Sequence, residues 1–238
     1  MENTISSTQQ WYEKSYTQAG FKAQRLYPNE ELLRFMGRNF FKTPFNERKN
    51  IKILEAGCGS CSNLWMIGKE NFAAYGIDLS AASIELGKQM LDKWGASAKL
   101  TVGSMTEMPY EDNYFDAVVD VFSSNCLAVA DFENFLAQVA RVLKTGGKVF
   151  SYTPSAASEA FINYAPAEKI DDYTITGIYR ETAPYHGNYY PFRFETPEHL
   201  TTLYNKHGLE ITAMELITRT YNNMGEPFQQ ISLEAVKK

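Results

Sequence analysis

Cysteine and histidine are scarce in this chain, three of each in 238 residues. Three cysteines are odd in number and too few for a disulfide framework, which fits a reducing compartment. Basic charge is not in excess either: the formal net charge is −5 and the sequence pI is near 5.4. There is no general basic field to attract a polyanion, so no nucleic-acid partner is expected. Also missing is any uninterrupted apolar run of about 18 residues that would span a bilayer. The opening "MENTISSTQQ" has no basic stretch leading into an apolar core, so a cytoplasmic protein without a membrane partner is expected. No repeat or low-complexity segment is present, and nothing in the sequence fixes an oligomeric state.

What the chain does have is apolar material, 44% hydrophobic and 14% aromatic, enough to bury one sizeable core. Five short apolar runs end in Gly, Asp, Ser or Pro and read as strands: "IKILEA" (51–56), "FAAYGID" (72–78), "KLTVG" (99–103), "YFDAVVDVF" (114–122) and "GKVFSYT" (147–153). Between them, residues 63–69, 81–94 and 132–143 repeat their apolar side chains at helical spacing. Strands alternating with helices imply right-handed βαβ units. The expected fold is α/β, a Rossmann-like, mostly parallel seven-stranded sheet with helices on both faces and an antiparallel edge hairpin.

Local signals mark several boundaries. Ser80 is placed to cap the helix after "GIDL", and Gly146 in "LKTGGK" stands where a chain leaving a helix near Lys144 often needs positive φ. Residues 153–195 contain six tyrosines without a clear period, and are expected to form an insertion of about 154–195 in a domain running 51–238. "TPEHLTTLYNKHG" reads as a capped helix, and "LEITAMELITRTY" and "PFQQISLEAV" read as a hairpin joined by "NNMGE". Residues 1–50 form a separate, aromatic-rich helical segment. Within it Asn29, Glu30 and Glu31 start a helix with Leu32, Leu33, Phe35 and Met36 as its buried side.

The stretch "ILEAGCGSCSN" (53–63) carries two competing patterns. Cys58 and Cys61 make a C-x-x-C, but zinc needs about four ligands, and Cys126, His186, His199 and His207 are all distant in sequence. A redox C-x-x-C would open a helix in a thioredoxin-like pattern, which the five-strand alternation does not resemble. No metal site is therefore expected. Gly57 and Gly59, by contrast, follow the first strand at the carboxyl end of the sheet, where open α/β folds bind ligands. Asp78, 21 residues after Gly57 at the end of the second strand, is placed to accept ribose hydroxyls, or more plainly to cap the next helix.

A dinucleotide fingerprint G-x-G-x-x-G would need glycine where Ser62 stands. "EAGCGSC" instead follows E/D-x-G-x-G-x-G, with Cys61 in the third glycine place. With "GIDLS", "GSMTEMPYEDNYFDAVV" and "VLKTGGKVF" after it, the sequence resembles the class I S-adenosylmethionine-dependent methyltransferases over roughly 51–153 and 196–236.

That resemblance implies S-adenosyl-L-methionine as cofactor and a set of residues to hold it. Glu55 would steady the loop or reach the cofactor's amino group, and Gly57 and Gly59 would pack against the methionine moiety. Asp78 would bind the ribose, with Leu79 beside the adenine. The family often places an acidic residue after the third strand. Here Ser104 stands in its place, with the Met105 backbone N–H toward a ring nitrogen. Phe122 would line the methyl-transfer site. The first fifty residues resemble an N-terminal lid, with Tyr16 and Arg25 clamping the cofactor carboxylate.

The insertion would roof the acceptor, with His186 as the candidate general base, a lone loop histidine being otherwise a solvated one. Tyr185, Tyr189 and Arg193 are candidates for binding a polar acceptor. The implied activity is O- or N-methylation of a small molecule. "QRLYPNEELLRF" is similar to a stretch in methyltransferases of polysaccharide clusters, which suggests a sugar or polysaccharide precursor. Two other readings stay open: an NAD(P)-dependent short-chain reductase, which lacks its usual Tyr-x-x-x-Lys here, and a non-catalytic cofactor-binding module.

Overall fold

Parallel pairing of the five apolar runs builds the centre of the molecule. The computed structural model describes residues 4–238. The strands are β1 (Lys52–Ala56), β2 (Ala73–Asp78), β3 (Lys99–Val102), β4 (Phe115–Val121) and β5 (Leu143–Pro154). Two further strands pair in the insertion, β6 (Thr174–Ile175) and β7 (Phe192–Arg193), and β8 (Leu209–Tyr221) and β9 (Glu226–Lys237) form the closing hairpin. The main sheet has seven strands in the order β3-β2-β1-β4-β5-β9-β8, with β9 antiparallel to both its neighbours. The order reverses at β1 and β4, which leaves a crevice at their carboxyl ends.

The helices are α1 (Thr4–Ala19), α2 (Glu30–Asn39), α3 (Leu64–Lys69), α4 (Ala81–Trp94), α5 (Val129–Val142), α6 (Glu159–Ile162) and α7 (Pro197–Lys206). Strand alternation sends Ile53, Val119 and Val121 into one apolar cluster with Leu32, Leu64 and Ile84 of α2, α3 and α4. Leu54 and Val118 go to the opposite cluster, with Phe135 of α5 and Leu203 of α7. Helices thus cover both faces, which is why successive residues such as Ile53 and Leu54 in β1 and Ala117, Val118 and Val119 in β4 are apolar and buried rather than alternating with polar ones.

The expected caps form. Ser80 accepts the Ser83 N–H at 3.0 Å at the start of α4, Asn29 accepts from Glu31 and Leu32 at the start of α2, and Thr196 accepts from His199 in α7. Two expectations shift. α5 starts at Val129 and ends at Val142, and the chain enters β5 directly at Leu143. Pairing there jumps from Phe115↔Leu143 to Ala117↔Lys148, so Gly146, at φ +76°, serves a bulge in β5 rather than a helix end. In α2, Leu33 is 38% exposed and Glu31 is buried in its place. The inward stripe falls on 31, 32, 35 and 36, and residue 33 is turned about 100° away from residue 32.

Two contacts carry α1 across the top of the sheet. Its Glu13 carboxylate accepts from Ser80 Oγ at 2.6 Å and Ala82 N at 3.3 Å, placing negative charge at the N-terminus of α4. At the other side Tyr12 shares a 2.8 Å hydrogen bond with Tyr190 of the insertion, and Trp11 packs edge-on against the same ring.

Candidate functional site

A cavity of about 610 Å3 opens over the carboxyl ends of β1, β2 and β4. Its floor is the 57–60 turn, its roof comes from α1 and the insertion, and its far wall comes from β5, β8 and β9. The size suits a small organic ligand.

The turn is shaped by close approach. Gly57 has φ +66°, and a Cβ there would meet Ser123 Oγ at 2.6 Å, the same hydroxyl that donates to the Gly57 carbonyl at 2.8 Å. Gly59 has φ +50°, and the Tyr16 hydroxyl lies 2.8 Å from where its Cβ would be. Asp78 closes the turn by accepting from Gly59 N at 2.8 Å and from Ser80 N at 2.9 Å. Burial pushes the Asp78 carboxyl above its usual range.

Cys61, in the third glycine place, adopts φ +63° and is fully buried. Two glycines make room for the sulfur atoms of the motif. A Cβ on Gly76 would meet Cys58 Sγ at 2.7 Å, and one on Gly87 would meet Cys61 Sγ at 2.6 Å. Both thiols are free, and among the described residues no three His, Cys, Asp or Glu side chains gather as a metal site.

Glu55 is 2% exposed. Its Oε1 accepts from Asn63 Nδ2 at 2.6 Å, and the Asn63 Oδ1 in turn accepts the Asn29 N–H at 2.9 Å. Its Oε2 is sealed from solvent and has no hydrogen-bond partner. Burial raises the Glu55 carboxyl to about 8, against the lowering effects of the Asn63 bond and the Arg25 charge. A buried carboxylate oxygen without a donor is costly, so a cationic donor from a ligand would complete it.

The structure brings together Tyr16, Arg25, Glu55, Gly57, Gly59, Asp78, Leu79, Met105 and Phe122 around the cavity. Phe122 holds φ +59° at the end of β4, a strained conformation that sets its ring against Tyr185 at 4.7 Å. Ser104 does not join them: its hydroxyl turns back to Thr106, 2.7 Å from Thr106 Oγ1, and Gly103 lines the cavity instead. His186 is exposed and lies outside the lining, 3.5 Å from the Tyr189 hydroxyl, while its neighbour Tyr185 faces in. Positive φ at Tyr185 (+68°) turns the chain so that adjacent side chains diverge.

Arg193 is also elsewhere. It is fully buried, bonded to Glu195 at 2.6 Å and to the carbonyls of Ser124 and Leu127 at 2.7 Å, and lies over the Phe132 ring. It latches the insertion to the loop after β4. Tyr189 is 49% exposed and stacks on Tyr179.

Several residues of the site carried no signal in the sequence. Asp120 on β4 accepts from Ser124 N and Ser151 Oγ, at 2.9 and 3.0 Å, and holds the loop that presents Ser123. Asn63, Tyr152, Arg219, Tyr221 and Gln230 also line the cavity. The alternation of Gln230 with apolar neighbours on a strand marks a face without showing what that face meets.

With this geometry in view, residues 53–147 match the family described as "Methyltransferase domain". Among curated proteins, a demethylmenaquinone methyltransferase of Bacillus mycoides (strain KBAB4) is 35% identical over 104 residues, 41% of this chain and 42% of that protein. The chain thus spans less than half the length of the curated relatives it matches first. Among solved structures, magnesium protoporphyrin IX methyltransferase from Synechocystis PCC 6803 with bound SAH superposes with a TM-score of 0.67 at 9% identity. The match covers 99% of this chain and 100% of that one. A Burkholderia thailandensis 1,6-didemethyltoxoflavin-N1-methyltransferase gives a TM-score of 0.62 at 12% identity, covering 98% and 85%. Strand order, the turn after β1 and the matched residues agree: residues 53–147 are similar to the family described as a methyltransferase domain, and the sheet around them has the Rossmann-like fold of the methyltransferase structures.

Proposed function

We propose that this protein transfers a methyl group from S-adenosylmethionine to a small-molecule acceptor. The observation that carries the reading is Glu55 Oε2, a buried, unpartnered carboxylate oxygen in a residue lining the cavity beside the Gly57–Gly59 turn. It suits the cofactor's ammonium group, and Arg25, within electrostatic reach of Glu55, suits its carboxylate. Asp78 would hold the ribose, with Leu79 and Met105 at the adenine. Tyr16 on α1, with its hydroxyl over Gly59, would close the lid of residues 1–50 on the bound ligand.

When bound, the cofactor supplies a sulfonium methyl group open to in-line displacement. The protein's part is to hold an acceptor atom close and aligned, and to exclude water. Phe122, Tyr152 and Tyr185 form the adjacent wall, with residues 154–195 as the cap over it. That wall favours a planar ring over a sugar or polysaccharide precursor. The name of another relative, a ubiquinone/menaquinone biosynthesis C-methyltransferase of Chromobacterium violaceum, adds carbon to oxygen and nitrogen as the atom methylated. His186 lies outside the cavity lining, so this reading assigns it no role.

Isothermal titration with S-adenosylmethionine and S-adenosylhomocysteine, with NAD(H) as control, tests the reading. Micromolar binding of both adenosyl ligands, lost in Asp78→Ala, is expected. NAD(H) binding in their place would overturn it.

A further inference from the structure

Beyond the residues given to the cofactor, the cavity continues to a wall of Phe122, Tyr152, Tyr185, Arg219, Tyr221 and Gln230. Its chemistry is one-sided. The carboxylates that line the cavity, among the described residues, are Glu55 and Asp78, both at the glycine turn. Arg219, on the edge strand β8, makes no ion pair among the described residues, and it lies within electrostatic reach of the Tyr152 and Tyr185 hydroxyls. Gln230, on the neighbouring β9, is 2% exposed, and its Oε1 has no hydrogen-bond partner. An amide buried in this way is expensive unless a ligand supplies a donor. The rings add a flat apolar surface: Phe122 and Tyr185 stack at 4.7 Å, and Tyr152 lies 6.2 Å from Phe122.

Resting on the cofactor site proposed above, we propose that Arg219 and Gln230 form the acceptor-recognition pair, and that the acceptor is a hydroxylated aromatic acid. The ring packs on Phe122 and Tyr185, the carboxylate meets the Arg219 guanidinium, and a ring hydroxyl donates to Gln230 Oε1. With the cofactor carboxylate assigned to Arg25, Arg219 is the cation left for the acceptor. A site built to hydrogen-bond a hydroxyl discriminates strongly against an analogue lacking it, because its own polar group is then stranded.

The test is titration of the S-adenosylhomocysteine-saturated protein with three probes: 4-hydroxybenzoate, 4-hydroxybenzamide and benzoate. 4-Hydroxybenzoate is expected to bind about tenfold or more tightly than either analogue, in line with the strength of a charge-assisted hydrogen bond. In Arg219→Gln the preference for acid over amide disappears. In Gln230→Leu the preference for the hydroxylated acid over benzoate disappears. Arg219 lies on an exposed edge strand, so Arg219→Gln is expected to fold and to bind S-adenosylhomocysteine as the parent does.

Equal affinity for acid and amide, absence of binding by all three probes, or a preference that survives in Arg219→Gln would overturn the proposal. Failure of S-adenosylhomocysteine to bind the parent protein would instead overturn the cofactor reading beneath it.

Discussion

Cys61 Sγ occupies space that a Cβ on Gly87 would need, 2.6 Å from that position. The family pattern has glycine at residue 61, and here a side chain stands there at φ +63°, its sulfur received by a glycine on the facing helix α4. A mid-helix glycine costs about 1 kcal/mol relative to alanine, so a residue that would ordinarily be improved is kept small by its neighbour.

Gly87→Ala should therefore destabilise the protein, by about 1–3 kcal/mol from overpacking, where an unconstrained helix would gain. Pairing it with Cys61→Gly should recover part of the loss, a coupling of about 0.5–3 kcal/mol in a double-mutant cycle. Urea denaturation midpoints for the four proteins measure this. Simple additivity would show that the two positions do not share space.

Glu55 predicts a pH dependence. Burial raises its carboxyl in the folded, ligand-free protein from 4.5 to about 8, so the folded state holds a proton there that the unfolded state releases. The sign follows: this contribution to stability is fully present below about pH 4.5 and is lost as pH rises to about 8. Thermal unfolding of Glu55→Gln should lack that part of the decline. Cofactor affinity should move the other way, because binding an ammonium requires the carboxylate. It should rise with pH below about 8, approaching about tenfold per unit, and Glu55→Gln should flatten the titration.

The three thiols should be slow to react. Cys58, Cys61 and Cys126 are buried; the hydrogen bond between Cys58 and Cys61, together with burial, pushes the Cys58 thiol well up, and burial pushes Cys126 up to about 12. Thiolates are the reactive form, so a disulfide reagent at pH 8 should modify the native protein at least about a hundredfold more slowly than the urea-unfolded chain. Rapid modification of two thiols in the native state would point to an exposed dithiol instead.

Removing Arg193 should act on stability. Arg193→Met leaves Glu195 buried without its guanidinium partner and frees the Ser124 and Leu127 carbonyls, a loss of about 3–5 kcal/mol by the usual cost of breaking a buried pair. The check is chemical denaturation, with S-adenosylhomocysteine titrated below the transition. Unchanged stability with lost acceptor binding would return Arg193 to the acceptor site.

Much of the architecture was legible because it is written locally. The strand β8 and the helix α4 span the expected residues, since periodicity, the Ser80 cap and a positive φ at Gly95 act within one or two turns of chain. The 57–59 turn and Asp78 were legible through their spacing. Ser104, His186 and Arg193 were misplaced because their roles depend on which way a loop turns. Ser104 is claimed by Thr106 two residues on, and His186 is directed outward beside the positive φ of Tyr185.

By itself the sequence determined a parallel α/β sheet with a glycine turn at its carboxyl end, because hydrophobic period, helix caps and the backbone freedom of glycine are properties of neighbouring residues. Only the tertiary structure decided what the cavity is made of. Arg193 meets Ser124 across 69 residues, Asn63 joins Asn29 of the N-terminal segment to Glu55, and Arg219 and Gln230 reach the cavity only once β8 and β9 have paired beyond β5. Desolvation by distant segments left Glu55 and Gln230 with unpartnered oxygen atoms, and such burial is a property of the packed chain that no local pattern contains.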